Sequence, residues 1–173
     1  HIRLLHPVDA SEELLVTLII VRTTAEMGRI AARIIADAVD EKPDSVLGLA
    51  TGSTPFRVYH GLAHHHKYDG LDLSRVRTFN LDEYLGISQQ HSLSYRYFME
   101  KHFFCHVNIP ERNIHILDGS AENQETECSR FEAAIRNNGG LDIQLLGIGV
   151  NGHIGFNEPG TPFASLTHVA TLS

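Results

Sequence analysis

The sequence lacks any apolar run long enough to cross a bilayer, which takes about 20 residues. Its most apolar stretch near the start, Leu14 to Val21, covers eight positions and contains Thr17. It lacks the small-residue cleavage site of a signal peptide, so a cytoplasmic protein without membrane contact is expected. Basic charge is also scarce: 14 lysines and arginines stand against 21 aspartates and glutamates, for a formal net charge of −7. A general nucleic-acid binder needs a basic face, so that class is excluded and an anionic ligand must be held by local groups. Only two cysteines occur. Cys105 and Cys128 fall in segments of helical patterning, without a CxxC or Cys/His cluster, and read as core thiols of a reducing compartment. Repeats, low-complexity tracts and linkers are missing.

What is present is ordinary globular composition, 42% hydrophobic and 20% charged over 173 residues, enough for a sizeable core. Residues 1–13 show no periodicity and read as an extension; residues 14–173 read as a single α/β domain. The β-branched and aliphatic run Leu14–Val21 predicts a buried first strand. Thr23 and Glu26 make a capping box, and Met27, Ile30, Ala31, Ile34 and Ala38 recur at helical spacing, predicting a helix over 25–39. A strand over Val46–Ala50 runs into Thr51-Gly52-Ser53-Thr54-Pro55. There Thr54 suits a helix cap and Pro55 the first helical position of a helix reaching His66. Hydroxyls, free N–H groups and the positive end of a helix make Thr51, Gly52, Ser53 and Thr54 a cradle for a phosphate or carboxylate. The loop has neither the Gly-Lys-Ser/Thr of a Walker motif nor GxGxxG.

His64-His65-His66 invites a metal reading, but consecutive residues point around a helix and cannot all face one ion; histidines also suit a last helical turn. A third strand, Arg75–Asn80, ends in Asp82 and Glu83, which extended backbone would send to opposite sides, so that at most one enters a shared cleft. Tyr95, Phe98, Met99, His102, Phe103 and His106 recur at helical spacing within 92–106, with the aromatics as core. A short strand over 113–117 and a helix over 121–136, capped by Ser120 and stopped by Gly139-Gly140, follow. The last strand, Ile143–Ile148, opens into a glycine-rich turn that presents Asn151, His153 and Glu158. His153 can take and give a proton near neutral pH, and Glu158 can orient its ring or stabilise its charge. The order β-α-β-α-β-α-β-α-β predicts a doubly wound, open parallel sheet with helices on both faces, Rossmann-like. Its ligands bind beyond the carboxyl ends of the strands.

Three blocks in order, GLATGSTP at 48–55, FNLDEY at 79–84 and LLGIGVNGHIGFNEPGT at 145–161, resemble the glucosamine-6-phosphate deaminases, also called isomerases. The resemblance implies conversion of glucosamine 6-phosphate to fructose 6-phosphate and ammonia. Asp82 would move the proton between C2 and C1, Asn151, His153 and Glu158 would serve ring opening, and Thr51–Thr54 would hold the phosphate. No metal or cofactor enters this reading; the partner is a small sugar phosphate, and monomer and homo-oligomer are equally compatible with the sequence. Some members have aspartate where Asn151 stands, which leaves Glu158 to balance an imidazolium. Allosterically activated members carry basic residues where this chain has His168 and Ala170, so no such activation is expected. In the family the chain continues for several elements beyond the end of this sequence and supplies basic residues to the phosphate. The 6-phosphogluconolactonases share the fold but have an Asp-Glu-Arg block and Ser-Leu-Phe-Pro after the histidine, where Tyr84 and Phe156-Asn157-Glu158-Pro159 stand here. Sugar-phosphate sensor domains lack a full set of catalytic groups, and the set Asp82, His153 and Glu158 favours an enzyme.

Overall fold

The computed structural model describes residues 16–172. Helix α1 (Thr24–Glu41) starts at the predicted box: the Thr23 hydroxyl accepts the Glu26 N–H at 3.1 Å, and Glu26 reaches back to the Arg22 N–H at 3.1 Å. Gly28, Ala32, Ile35, Ala36 and Val39 form its buried stripe, the spacing of one helical face. Strand β1 (Val46–Leu49) leads to α2 (Ser53–Tyr68), β2 (Arg77–Asn80), α3 (Tyr95–His102), β3 (Ile114–His115), α4 (Gln124–Asn137) and β4 (Ile143–Gln144). The four strands are parallel in the order β3-β2-β1-β4. Side chains of a strand alternate between faces. Leu47 and Leu49 accordingly enter a core with Val39, Val58, Tyr59, Leu62, Met99 and Phe103 from α1, α2, α3 and the turn after α3, whereas Val46 meets Phe79 of β2 and Phe131 of α4 on the other face. Helices therefore cover both faces, and the sheet is doubly wound.

The winding changes direction at β1. β2 and β3 are laid down on one side of it, and β4 returns to the other. Asp142 clips β4 in place: its carboxylate accepts the Val46 N–H at 2.8 Å and pairs with Lys42 Nζ at 2.7 Å, while its own N–H reaches the Val46 carbonyl at 2.8 Å. Beneath the end of β1, the buried Tyr59 hydroxyl donates to the Ala50 carbonyl and its ring stacks on Phe103 at 4.9 Å.

Several expectations are corrected. The predicted first strand is not one over its described part: residues 16–21 are irregular, and Leu18 and Ile20 are 80% and 86% exposed. Strand formation needs a partner for each N–H and C=O, and no described strand pairs with this segment. Leu14 and Leu15 lie outside the described residues, as do residues 1–13. The last strand stops at Gln144 rather than Ile148: its ladder with β1 is registered only at Ile143 and Gln144, and the last backbone bond to β1 is from the Leu145 N–H to the Gly48 carbonyl at 2.9 Å. The proposed Thr54 cap gives way to Gly52, whose carbonyl accepts the Phe56 N–H at 3.3 Å, so α2 begins at Ser53 with Pro55 already inside its first turn. Helix α4 is capped by Asn123, which accepts the Thr126 N–H at 2.8 Å, because Ser120 is engaged with Asp118. The helix read over 92–106 closes at His102 and continues as a separate 3₁₀ turn, Phe104–His106. Cys105 is exposed and Cys128 only partly buried, so neither is the core thiol expected; both are free.

Tyr59→Phe keeps the packed ring and leaves the buried Ala50 carbonyl without its donor, which costs about 1–2 kcal/mol. The unfolding free energy of the variant is expected to fall by that amount, which lowers the denaturation midpoint without a change in the dependence on denaturant.

Candidate active site

The carboxyl ends of β1, β2 and β4 open into one cleft, and the change of winding at β1 is what leaves it open, since the loops after β1 and β4 depart in opposite directions. The cleft holds a cavity of about 420 Å³ lined by Thr51, Gly52, Ser53, Thr54, Asp82, Tyr84, Tyr95, His153, Phe156 and Glu158, among others. Of the predicted site residues, only Asn151 is not in the lining.

Thr51 to Thr54 follow β1 directly. Gly52 adopts φ 122°, a region that suits glycine, and thereby turns the chain into α2, whose first residues line the cavity. The first N–H groups of the helix have no intrahelical acceptor and sit at its positive end. With three hydroxyls beside them they suit a phosphate.

Asp82 and Glu83 part company as alternation requires. Glu83 is buried and accepts the Tyr95 and Arg96 N–H groups at 2.9 and 3.0 Å, the Ser94 hydroxyl at 2.9 Å and the Tyr84 N–H at 2.8 Å. It thus closes the N-terminus of α3 with a charge that the helix end favours, and anchors the loop after β2. Asp82 is left facing the cavity. Burial, then the neighbouring Glu83 charge, push its carboxyl up to about 6, against a weaker opposing hydrogen bond from the Phe156 backbone. A carboxylate poised there is a competent base near neutral pH.

After β4, Asn151 joins His153 to Glu158. Its side-chain oxygen lies 2.7 Å from His153 Nδ1 and 3.1 Å from the His153 N–H, and its amide nitrogen donates to Glu158 at 2.8 Å. A carboxylate only accepts, so the amide must turn its nitrogen to Glu158 and its oxygen to the ring. That fixes the proton on Nδ1 and leaves Nε2 as the basic atom. Glu158 therefore acts on His153 through Asn151, rather than directly as the sequence suggested. Two glycines permit the approach of this loop. A Cβ on Gly149 would stand 2.1 Å from the His153 ring; one on Gly155, where φ is +58°, would stand 2.5 Å from Leu81 and 3.1 Å from the Asp82 carboxylate.

Sequence reasoning missed three contributors. Tyr95 was placed in the core by its helical spacing, yet its hydroxyl donates to that of Tyr84 at 3.3 Å and is bonded to the Thr51 side chain. Tyr84, Tyr95 and Phe156 pack with ring centroids 4.9, 5.1 and 5.8 Å apart and wall the cavity beside Asp82. The FNLDEY block was the available signal for Tyr84 and the block at 145–161 for Phe156; Tyr95 had none.

Residues 22–163 match the family model described as glucosamine-6-phosphate isomerases/6-phosphogluconolactonase. The chain is 53% identical, over 86% of its length, to a glucosamine-6-phosphate deaminase of Geobacillus sp. (strain WCH70), and covers 59% of that protein. It is 52% identical over 88% of its length to glucosamine-6-phosphate deaminase 2 of Giardia intestinalis, covering 58% of it. Among solved structures, a monomeric glucosamine-6-phosphate deaminase superposes with a TM-score of 0.87 at 49% identity, over 88% of this chain and 64% of that one. The 6-phosphogluconolactonase of Thermotoga maritima superposes with a TM-score of 0.64 at 27% identity, over 76% and 59%. The chain thus spans less than two thirds of the length of these relatives.

Glu83→Gln removes the charge beside Asp82, so the Asp82 carboxyl is expected to titrate below its value of about 6; carbon-13 NMR titration of that carboxyl measures this, and an unmoved midpoint contradicts it. Gly149→Ala should turn the His153 ring out of the cleft and disrupt its hydrogen bond to Asn151, read as the loss of a protonated Nδ1 in nitrogen-15 spectra.

Proposed function

The chain belongs to the glucosamine-6-phosphate isomerase/6-phosphogluconolactonase family, and we propose that it forms the catalytic part of a cytoplasmic glucosamine-6-phosphate deaminase. The observation that carries this reading is the convergence of the Thr51–Thr54 cradle, the carboxylate of Asp82 and the imidazole of His153 on one cavity. Glucosamine 6-phosphate seats its phosphate on the N-terminus of α2, which places the sugar carbons deeper in the cleft and converts remote binding into alignment. His153 Nε2 takes the proton of the O1 hydroxyl and returns it to O5, opening the ring to the aldehyde. Asn151 and Glu158 hold the ring tautomer that makes Nε2 the base, and Glu158 balances the imidazolium formed in between.

Asp82 then removes the proton from C2 and delivers it to C1. As the double bond shifts, O1 gains a proton and the C2 amine gives one up, so that C1 becomes an alcohol and C2 an imine; water then adds to the imine to release ammonia and fructose 6-phosphate. A carboxyl raised to about 6 remains mostly ionised at neutral pH, yet is more basic than an exposed aspartate. The wall of Tyr84, Tyr95 and Phe156 keeps this region short of water, the same burial that raises Asp82. A lactone hydrolase needs no base over a carbon acid, and nothing in the cleft favours that second reading.

Asp82→Asn is expected to abolish exchange of the substrate C2 proton with solvent, by at least about 10³-fold on the scale of general base catalysis, while sugar-phosphate binding stays within a few fold. Exchange that persists removes Asp82 as the base. The fold itself responds with a definite sign. A carboxyl that ionises at about 6 in the folded chain against 3.8 ordinarily costs stability as the pH rises through that window. Asp82→Asn therefore raises the melting temperature at pH 8 and not at pH 3.5.

A further inference from the structure

The histidine run at the end of α2 has no part in the cleft. Helix α2 closes at Tyr68; the Asp69 and Leu71 N–H groups both fold back to the His65 carbonyl, at 2.9 and 3.2 Å, and Gly70 turns the chain at φ +79°. This reversal carries the Asp69 carboxylate back over the last helical turn. Asp69 Oδ2 lies 2.7 Å from His65 Nδ1 and 3.8 Å from His64 Nδ1, and the three ligating atoms all fall within 4.8 Å of one another. His66 is turned away, its Nδ1 held by the Leu71 carbonyl at 2.7 Å. Consecutive histidines indeed do not all face one point, but two of the three do once the chain reversal supplies a carboxylate.

We propose that His64, His65 and Asp69 form a binding site for a divalent transition-metal ion of the zinc type. Two imidazole nitrogens and one carboxylate oxygen are the donor set that zinc takes, with bonds of about 2.0–2.2 Å whose tetrahedral geometry sets ligand atoms about 3.3 Å apart. The two separations from Asp69, 2.7 and 3.8 Å, bracket that spacing, and the third lies within 4.8 Å, so side-chain rotations close the site. His65 is the fixed member, with a side chain only 16% exposed, whereas His64 and Asp69 are 58% and 51% exposed and leave the fourth position to solvent. The ion would tie the last turn of α2 to the turn that follows it. Helix α2 has 16 residues, so its two ends lie about 24 Å apart; the phosphate cradle is at the other end, and the ion braces the element that carries the cradle without touching substrate.

Calorimetric titration of zinc into the full chain is expected to show one ion bound per chain. His64→Gln, His65→Gln and Asp69→Asn should each weaken it at least tenfold. His66→Gln should leave it within twofold, as should His60→Gln, which tests the alternative of a His60–His64 pair one turn apart. Cobalt(II) gives a second readout in the unaltered protein, a visible absorption band that zinc displaces. Absence of saturable zinc binding, absence of that band at saturating cobalt, or a tenfold loss in His60→Gln with none in Asp69→Asn overturns the assignment.

Discussion

The change of winding direction at β1 is the constraint on which the rest of the molecule depends. A parallel sheet must send each strand back through a helix, and while successive helices lie on one face the loops at the carboxyl ends crowd together. Placing β4 on the far side of β1, with α4 on the opposite face, separates the loop after β1 from the loop after β4 and leaves a crevice between them. The Asp142 clip and the Tyr59 hydrogen bond act at opposite ends of β1. One holds β4 in register at its start, and the other fixes the strand end from which the Thr51–Thr54 loop departs.

Within the crevice, two adjacent carboxylates are separated by what surrounds them. Glu83 gains four hydrogen-bond donors and a helix end, which offsets the cost of burying its charge. Asp82 gains one backbone donor and an aromatic wall, which does not. The same loop therefore holds an anchor and the proposed base, and the anchor's charge helps to raise the carboxyl of Asp82. His153 is handled by the opposite device, a polar relay through Asn151 that defines which nitrogen is free. The two glycines that allow the relay to lie against Asp82 explain why the loop after β4 is so poor in side chains.

Much of this was legible from the residue order. The capping box at Thr23, the glycine-bounded loops and the blocks around Asp82 and His153 are local signals, read without knowledge of the partner strands. What escaped depended on distant partners. Leu14–Val21 has the composition of a buried strand, yet composition cannot supply a neighbour, and its described part is exposed. Ile143–Ile148 reads as one strand, but its backbone contacts with β1 end at Leu145. Tyr95 sits at core spacing on α3 and is drawn instead to Thr51 and Tyr84, a contact between a helix and two separate loops that no local pattern encodes. Asn151 was legible as a site residue, but its place between His153 and Glu158 emerges only when Glu158, seven residues on, is seen to hold its amide.

The measurement that bears most directly on this account is ammonia release from glucosamine 6-phosphate, followed together with fructose 6-phosphate, by a polypeptide that contains this chain and extends to the length of its relatives. Equal amounts of the two products, with 6-phosphogluconolactone left unhydrolysed, are the predicted result. Hydrolysis of the lactone without ammonia release, or turnover of neither compound by a folded protein, would contradict the reading of the Asp82–His153 cleft as a deaminase site.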